Sequence, residues 1–249
     1  MDEVVRQRDG GVVRIELNRP SRRNALTAPV VQALIAALSQ ATAAYGDTRV
    51  VVLAGAPPGF CAGADRSALA FLTAPETTDA DRLAELRAAG QLVLALQRFP
   101  GPTIAEVAGA AVGGGCNLAL ACDLAYAAQD ARFGQVFVRH GLALDMGGSW
   151  LLSRLAGPRA AAELAFSGRI VSAAEALSLG LVNAVVPADA LRAVVAGQAA
   201  ELARMPAGAL AAIKSQLRHG LTHDLAASLE FEAQAQNARL RDLPHLGEP

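Results

Sequence analysis

Apolar and polar positions alternate along Val12-Val13-Arg14-Ile15-Glu16-Leu17 and then meet Asn18-Arg19-Pro20, which predicts a strand closed by a turn. After Thr27 the period changes. Val30, Leu34, Ala37, Leu38 and Ala41 recur at helical spacing, with Thr27 as N-cap and Pro29 in the first turn. Residues 50–54 are wholly apolar and end at Gly55, as a strand buried on both faces would be. Residues 81–99 read as a helix whose Leu83, Leu86, Ala89, Leu92 and Leu96 share one face. Two more strands are expected at 103–107 and 124–127, separated by a glycine-rich turn and a short helix. Strands alternating with helices predict an α/β fold with buried strands. From about residue 160 the pattern turns helical and alanine-rich, with helices expected at 173–179, 189–205, 207–217 and 225–240. Helices so poor in large side chains make a thin core alone, so they are expected to pack on the α/β part or on another subunit. No internal repeat or low-complexity linker interrupts the chain.

Composition narrows the function classes. The chain has 249 residues and is 53% hydrophobic, enough for a sizeable core and for one large domain or a domain with an appendage. A formal net charge of -1 argues against a protein that tracks nucleic-acid phosphates. Of 22 basic residues only Lys214 is a lysine, which by itself reflects codon usage. Cys61, Cys116 and Cys122 cannot all pair and form no C-x-x-C, so a reduced, cytoplasmic protein is expected and the thiols read as small core residues. The N-terminus begins with acidic residues and lacks an apolar signal segment, and the uncharged run 107–122 is too short and glycine-rich to span a bilayer. No membrane association is expected.

Three segments could carry chemistry. Phe60-Cys61-Ala62-Gly63-Ala64-Asp65 follows a strand and a Pro-Pro-Gly turn. Such a turn aims backbone N–H groups outward, where one could donate to a developing oxyanion; it could equally be an ordinary turn with Asp65 capping the next helix. Gly109 to Asn117, with Gly113-Gly114-Gly115 at a helix entry, again exposes donors or simply allows close helix packing. It is neither a G-x-G-x-x-G fingerprint nor a Walker A loop. Asp145 sits in an apolar stretch before a helix. It is either a helix cap or a carboxylate whose pKa burial raises into proton-transfer range. His219 and His223 have metalloprotease spacing, but Gly220 stands where the zinc motif needs Glu, so no metal site is expected. His140 reads as solvated or structural, and no Gly-x-Ser-x-Gly elbow occurs.

These landmarks, with Arg23-Asn24-Ala25-Leu26, Cys122-Asp123, Phe133-Gly134-Gln135, Gly147-Gly148 and Gly180-Leu181-Val182, come in the order and spacing of one family. The chain resembles the enoyl-CoA hydratase/isomerase (crotonase) superfamily over essentially its whole length. The resemblance implies a spiral of ββα units over residues 1–190 and a helical C-terminal trimerisation region over 191–249, in a homotrimer or dimer of trimers. It implies an acyl-CoA thioester substrate and no cofactor beyond that CoA. Ala64 and Gly114 would supply the two backbone N–H groups that hold a thioester enolate. Arg23, Ala25, Ala62, Asp65, Arg66 and Lys214 match positions near the CoA, Lys214 near a phosphate.

The departures are specific. Where hydratases of the family carry their glutamate pair, this chain has Asn117 and Phe137, which are expected to line the substrate pocket. Neither can exchange a proton at neutral pH. The segment from Gly141 to Leu152 resembles the isomerase branch that includes epoxyphenylacetyl-CoA and Δ3,Δ2-enoyl-CoA isomerases, where an Asp at the place of Asp145 is the sole acid/base. The expected activity is therefore a 1,3-proton shift on Asp145. The alternatives are another crotonase reaction, such as hydrolysis or weak hydration, and acyl-CoA binding without turnover. Arg239-Leu240-Arg241-Asp242-Leu243-Pro244 and the end at Pro249 depart from the longer C-terminus of relatives, which bears on the adenine side of the CoA site.

Overall fold

The computed structural model describes residues 2–242. Strands β1 (Val4–Asp9) and β2 (Val12–Leu17) form an antiparallel hairpin, and α1 (Ala28–Ala43) follows. Next come β3 (Val50–Gly55), α2 (Arg66–Thr73) and α3 (Asp79–Arg98). β4 (Thr103–Val107), β5 (Ala110–Val112) and α4 (Gly114–Ala121) make a third turn of the chain. β6 (Leu124–Ala128), β7 (Arg132–Gly134), α5 (Gly148–Ser167), β8 (Ile170–Ser172), α6 (Ala173–Ser178) and β9 (Ala184–Val186) make a fourth. Then α7 (Leu191–Arg204), α8 (Ala207–Gly220) and α9 (Leu225–Arg241) close the described chain. Leu243, Pro244 and Pro249 lie outside the described residues.

Two sheets organise the spiral. The larger has the order β1-β2-β3-β4-β6-β9, parallel throughout except for the β1-β2 hairpin. The smaller runs β5-β7-β8 and is extended by parallel bridges from Cys61 to Ala111 and from Leu26 to Ala64. Each turn of chain thus leaves the larger sheet, passes through the smaller one and returns through a helix. β3 and β4 are buried along nearly their whole length, which is why their sequences are continuous apolar runs rather than alternating ones. α1 buries Val30, Leu34, Leu38 and Ala41, the face its spacing predicted, and Thr27 accepts from Val30 N–H. α3 begins at Asp79, earlier than its apolar stripe, because Thr78 and Asp81 form a reciprocal capping box.

The main core lies between the sheets, α1 and α3, with Ile15, Leu17, Leu34, Phe60, Leu96 and Phe99 fully enclosed. Burying each such side chain stabilises the fold by about 1.5–3 kcal/mol. α7 covers the other face of the larger sheet, where Leu191, Val195 and Ala199 meet Val50, Val52 and Ile104. α7 is therefore a layer of the sheet's own core, although the sequence places it in the C-terminal helical region from residue 191. α8 and α9 pack on each other, and α9 buries none of its residues in this chain. Among the described residues no helix is long and apolar enough to cross a membrane.

Candidate active site

The Phe60–Asp65 turn is stitched to its neighbours on two sides. Cys61 N–H donates to Ala110 O and Val112 N–H to Cys61 O, which fixes the turn beside the entry to α4. On the other side Leu26 N–H donates to Gly63 O and Asp65 N–H to Leu26 O. In a parallel bridge of this kind the residue between those two partners turns its own N–H the opposite way. The Ala64 N–H therefore faces away from Leu26, and Ala64 is exposed. Gly63 makes the approach possible: its φ is +86°, and a Cβ there would lie 2.7 Å from Val112 O and 3.4 Å from the Gly114 nitrogen. Gly114 opens α4, so its N–H has no carbonyl in a preceding helical turn. The two backbone donors expected from sequence thus lie on adjoining segments, at the positive end of the α4 dipole.

Asp145 lies on the loop that leads into α5. Met146 and Gly147 follow it at φ +46° and +77°. A left-handed conformation at a non-glycine residue costs about 1–2 kcal/mol, and here the cost falls beside the candidate carboxylate. Met146 is buried, and a Cβ on Gly114 would lie 2.7 Å from its sulfur, so the Asp145 loop closes directly over the entry to α4. The Asp145 Oδ1 is buried and has no hydrogen-bond partner among the described residues. Burial without a partner pushes the carboxyl up from 3.8 to about 6. Asp145 does not cap α5: the residue at that position is Gly147, and no side chain caps the helix.

Asn117 does not line an open pocket as expected. It is fully buried, its Nδ2 donates to the Asp145 backbone carbonyl at 2.9 Å, and its Oδ1 accepts from Gln135 Nε2 at 2.7 Å. The small, uncharged amide fits a closed site between α4 and the Asp145 loop. Phe137 is also buried, with its ring tip 3.8 Å from where a Gly113 Cβ would stand, so it forms part of the apolar wall beside the donors.

The residues matched to CoA contacts divide into two groups. Arg23, Ala25 and Ala62 come together, because Ala62 N–H donates to Arg23 O. Arg23 is exposed at φ 51°, and Arg66 is exposed at the start of α2. Asp65 is already committed. Its Oδ1 accepts from Ser67 N–H and Oγ, its Oδ2 meets Arg19 Nη1 at 3.0 Å, and these bonds hold its carboxyl below the usual range. Its side chain caps α2, so the helix-cap reading applies to the carboxylate while the residue keeps its place in the turn. The Lys214 reading is corrected. The lysine is buried, it donates to Gly101 O at 2.8 Å, and it pairs with Asp123 at 2.6 Å. Asp123 lies just beyond the far end of α4, about 10–12 Å along the helix from Gly114. The ammonium is used to anchor α8.

Other contributors escaped the sequence reading. Asn24 is fully buried and donates to Ala56 O and Gly59 O, both at 2.7 Å, which fixes the approach to the Phe60 turn. Arg19 joins Glu3, Asp65 and the carbonyl of Ala25. Both stand in motifs visible in the sequence, but their partners are remote. His219, in the last turn of α8, stacks on His223 on one side and on Phe231 on the other. A cleft of about 310 Å3 opens beside the turn, between Thr27, Ser67, Phe71 and Glu85. A larger one of about 570 Å3 lies between β1 and α7 and holds none of the candidate residues.

Comparison with known proteins places the fold and the family. A Bacillus anthracis enoyl-CoA hydratase structure superposes with a TM-score of 0.91 at 31% identity, covering 96% of this chain and 92% of its own. A Thermobifida fusca chain solved in complex with CoA gives 0.88 at 32% identity, covering 96% and 93%. A Rhodobacter capsulatus protein named "Probable enoyl-CoA hydratase" is 39% identical over 91% of this chain and 85% of its own. The fold is the crotonase fold. The family model for enoyl-CoA hydratase/isomerase matches residues 7–242, and the chain belongs to that family.

Proposed function

We propose that the protein is an enoyl-CoA isomerase that binds an acyl-CoA thioester and shifts its double bond with Asp145 as the sole acid/base. The observation that carries this reading is the Asp145 carboxyl, unpartnered at Oδ1 and pushed up to about 6, set over the entry to α4 while Asn117 and Phe137 occupy the other two proton-transfer positions. In the reaction the Asp145 carboxylate takes a proton from the carbon between the thioester and the double bond. The negative charge moves onto the thioester oxygen, where Ala64 N–H and Gly114 N–H receive it; a donor of this kind contributes about 3–4 kcal/mol to the transition state. The Asp145 carboxylic acid then returns the proton to the γ carbon. A carboxyl near pH 6 is matched to both steps. The exposed Arg23 and Arg66 supply positive charge for CoA phosphates, and no cofactor beyond the CoA of the substrate takes part.

Relatives named as hydratases favour a second reading, addition of water by Asp145 alone. Chromatographic product analysis separates the two. With a 3-enoyl-CoA the account expects the conjugated 2-enoyl thioester and no 3-hydroxyacyl-CoA. Rapid 3-hydroxyacyl-CoA formation from a 2-enoyl-CoA, without isomerisation, supports hydration instead. Tight binding with no turnover of either substrate leaves a binding protein.

A further inference from the structure

We propose that Asn117, held by Gln135, is the positioning residue for the Asp145 carboxylate. This inference rests on the isomerase reading of Asp145. The carboxylate has no side-chain partner at Oδ1, so its direction is set through its own backbone. That backbone lies in an irregular loop followed by two left-handed residues, and such a segment does not hold one conformation by itself. Its carbonyl is fixed from two directions. Gly148 N–H donates to it at 2.8 Å and Asn117 Nδ2 at 2.9 Å. The approach is close: a Cβ on Gly148 would lie 2.6 Å from Asn117 Nδ2.

The amide itself is oriented from behind. Gln135 Nε2 donates to Asn117 Oδ1 at 2.7 Å, which turns the Asn117 NH2 toward the Asp145 carbonyl. Gln135 Oε1 is buried without a partner, a cost accepted to keep its NH2 on Asn117. Asn117 also stands one helical turn after Gly114 on α4. One rigid helix therefore carries an enolate donor and sets the loop of the base, which fixes the distance between them. The site requires an amide specifically. A carboxylate at 117 would set an acceptor against the Asp145 carbonyl and add a like charge near the base.

The test is the pH dependence of 3-enoyl-CoA isomerisation by Asn117→Asp, which keeps the side-chain size, and by Gln135→Met, which removes the supporting bond. Asn117→Asp is expected to lower kcat about 10- to 100-fold and to move the acid limb of the profile to higher pH, while KM stays near the wild-type value. Gln135→Met is expected to lower kcat by a smaller factor in the same direction. A wild-type kcat and acid limb in Asn117→Asp overturns the inference. So does a loss shared equally by kcat and CoA affinity with an unmoved acid limb, which marks a packing role. If Asn117→Asp does not fold, Gln135→Met decides by its rate: a lowered kcat at a near wild-type KM supports the inference, and a wild-type kcat, or an equal loss of CoA affinity, overturns it. Asp145→Asn separates the two claims: its full activity removes the isomerase reading, whereas an inactive Asp145→Asn beside an unaffected Asn117→Asp removes this inference alone.

Discussion

The two ends of α4 each face an aspartate, and the two are treated in opposite ways. At the C-terminal end Asp123 accepts from Thr103 N–H and Oγ1, from Lys214 at 2.6 Å and from Arg218 at 3.2 Å. At the N-terminal end Asp145 presents a buried Oδ1 with no partner, and only its backbone carbonyl is bonded. The saturated end joins α8 to the spiral and contributes stability. The unsaturated end withholds hydrogen bonds from a carboxylate and from the Gly114 N–H, which costs stability and leaves both groups free for a reacting molecule. The more exposed aspartate, Asp123, is the one given partners, and the more buried one, Asp145, is left without a partner at Oδ1.

The largest effect is expected from removing a donor at the open end. Ala64→Pro takes away one backbone N–H and should lower kcat about 100- to 1,000-fold, with CoA binding by calorimetry little changed. An equal loss of binding would mean that the turn, not the donor, was damaged. At the closed end Lys214→Ala should destabilise the protein by about 3 kcal/mol, because it leaves Asp123 partly uncompensated. Denaturant unfolding measures this, and CoA affinity should stay unchanged; a weakened affinity would return Lys214 to the substrate.

The open end should also reveal its cost in stability. Asp145 titrates at about 6 when folded against 3.8 as a free side chain. The folded chain therefore binds that proton more tightly than the unfolded one. Stability falls as pH rises through that window, and the penalty is fully present above it. Asp145→Asn removes the penalty, so it should be more stable than wild type by about 3 kcal/mol at pH 8 and no more stable below pH 4. An Asn variant that is less stable at pH 8 would show that the carboxylate is paired after all. The smallest effect belongs to Arg218→Ala, whose side chain is 30% exposed, at about 1 kcal/mol or less. A larger loss would place more of the closed end's strength on Arg218 than its exposure warrants.

Much of the frame was legible in the chain. β2, β3, β4 and α1 follow from apolar spacing, whereas Ala64, Gly114 and Asp145 are singled out by the family resemblance, on segments that the pattern only places beside strand ends and helix starts. β5, β7, β8 and β9 are three residues each, too short for any period to register. Lys214 was misread because Asp123, the partner that buries it, is remote in sequence, and a lone lysine looks the same whether paired or free. Asn117 was read as pocket lining because its departure from a glutamate is visible in the sequence. The Asp145 carbonyl that its amide holds is not.

The most direct test is hydrogen exchange in deuterated water on a 3-enoyl-CoA, followed by NMR with the wild-type enzyme and with Asp145→Asn. The account predicts deuterium entering the α and γ carbons with the wild type, and exchange slowed at least 100-fold in Asp145→Asn while the variant still binds CoA. Exchange at the wild-type rate in Asp145→Asn would contradict it.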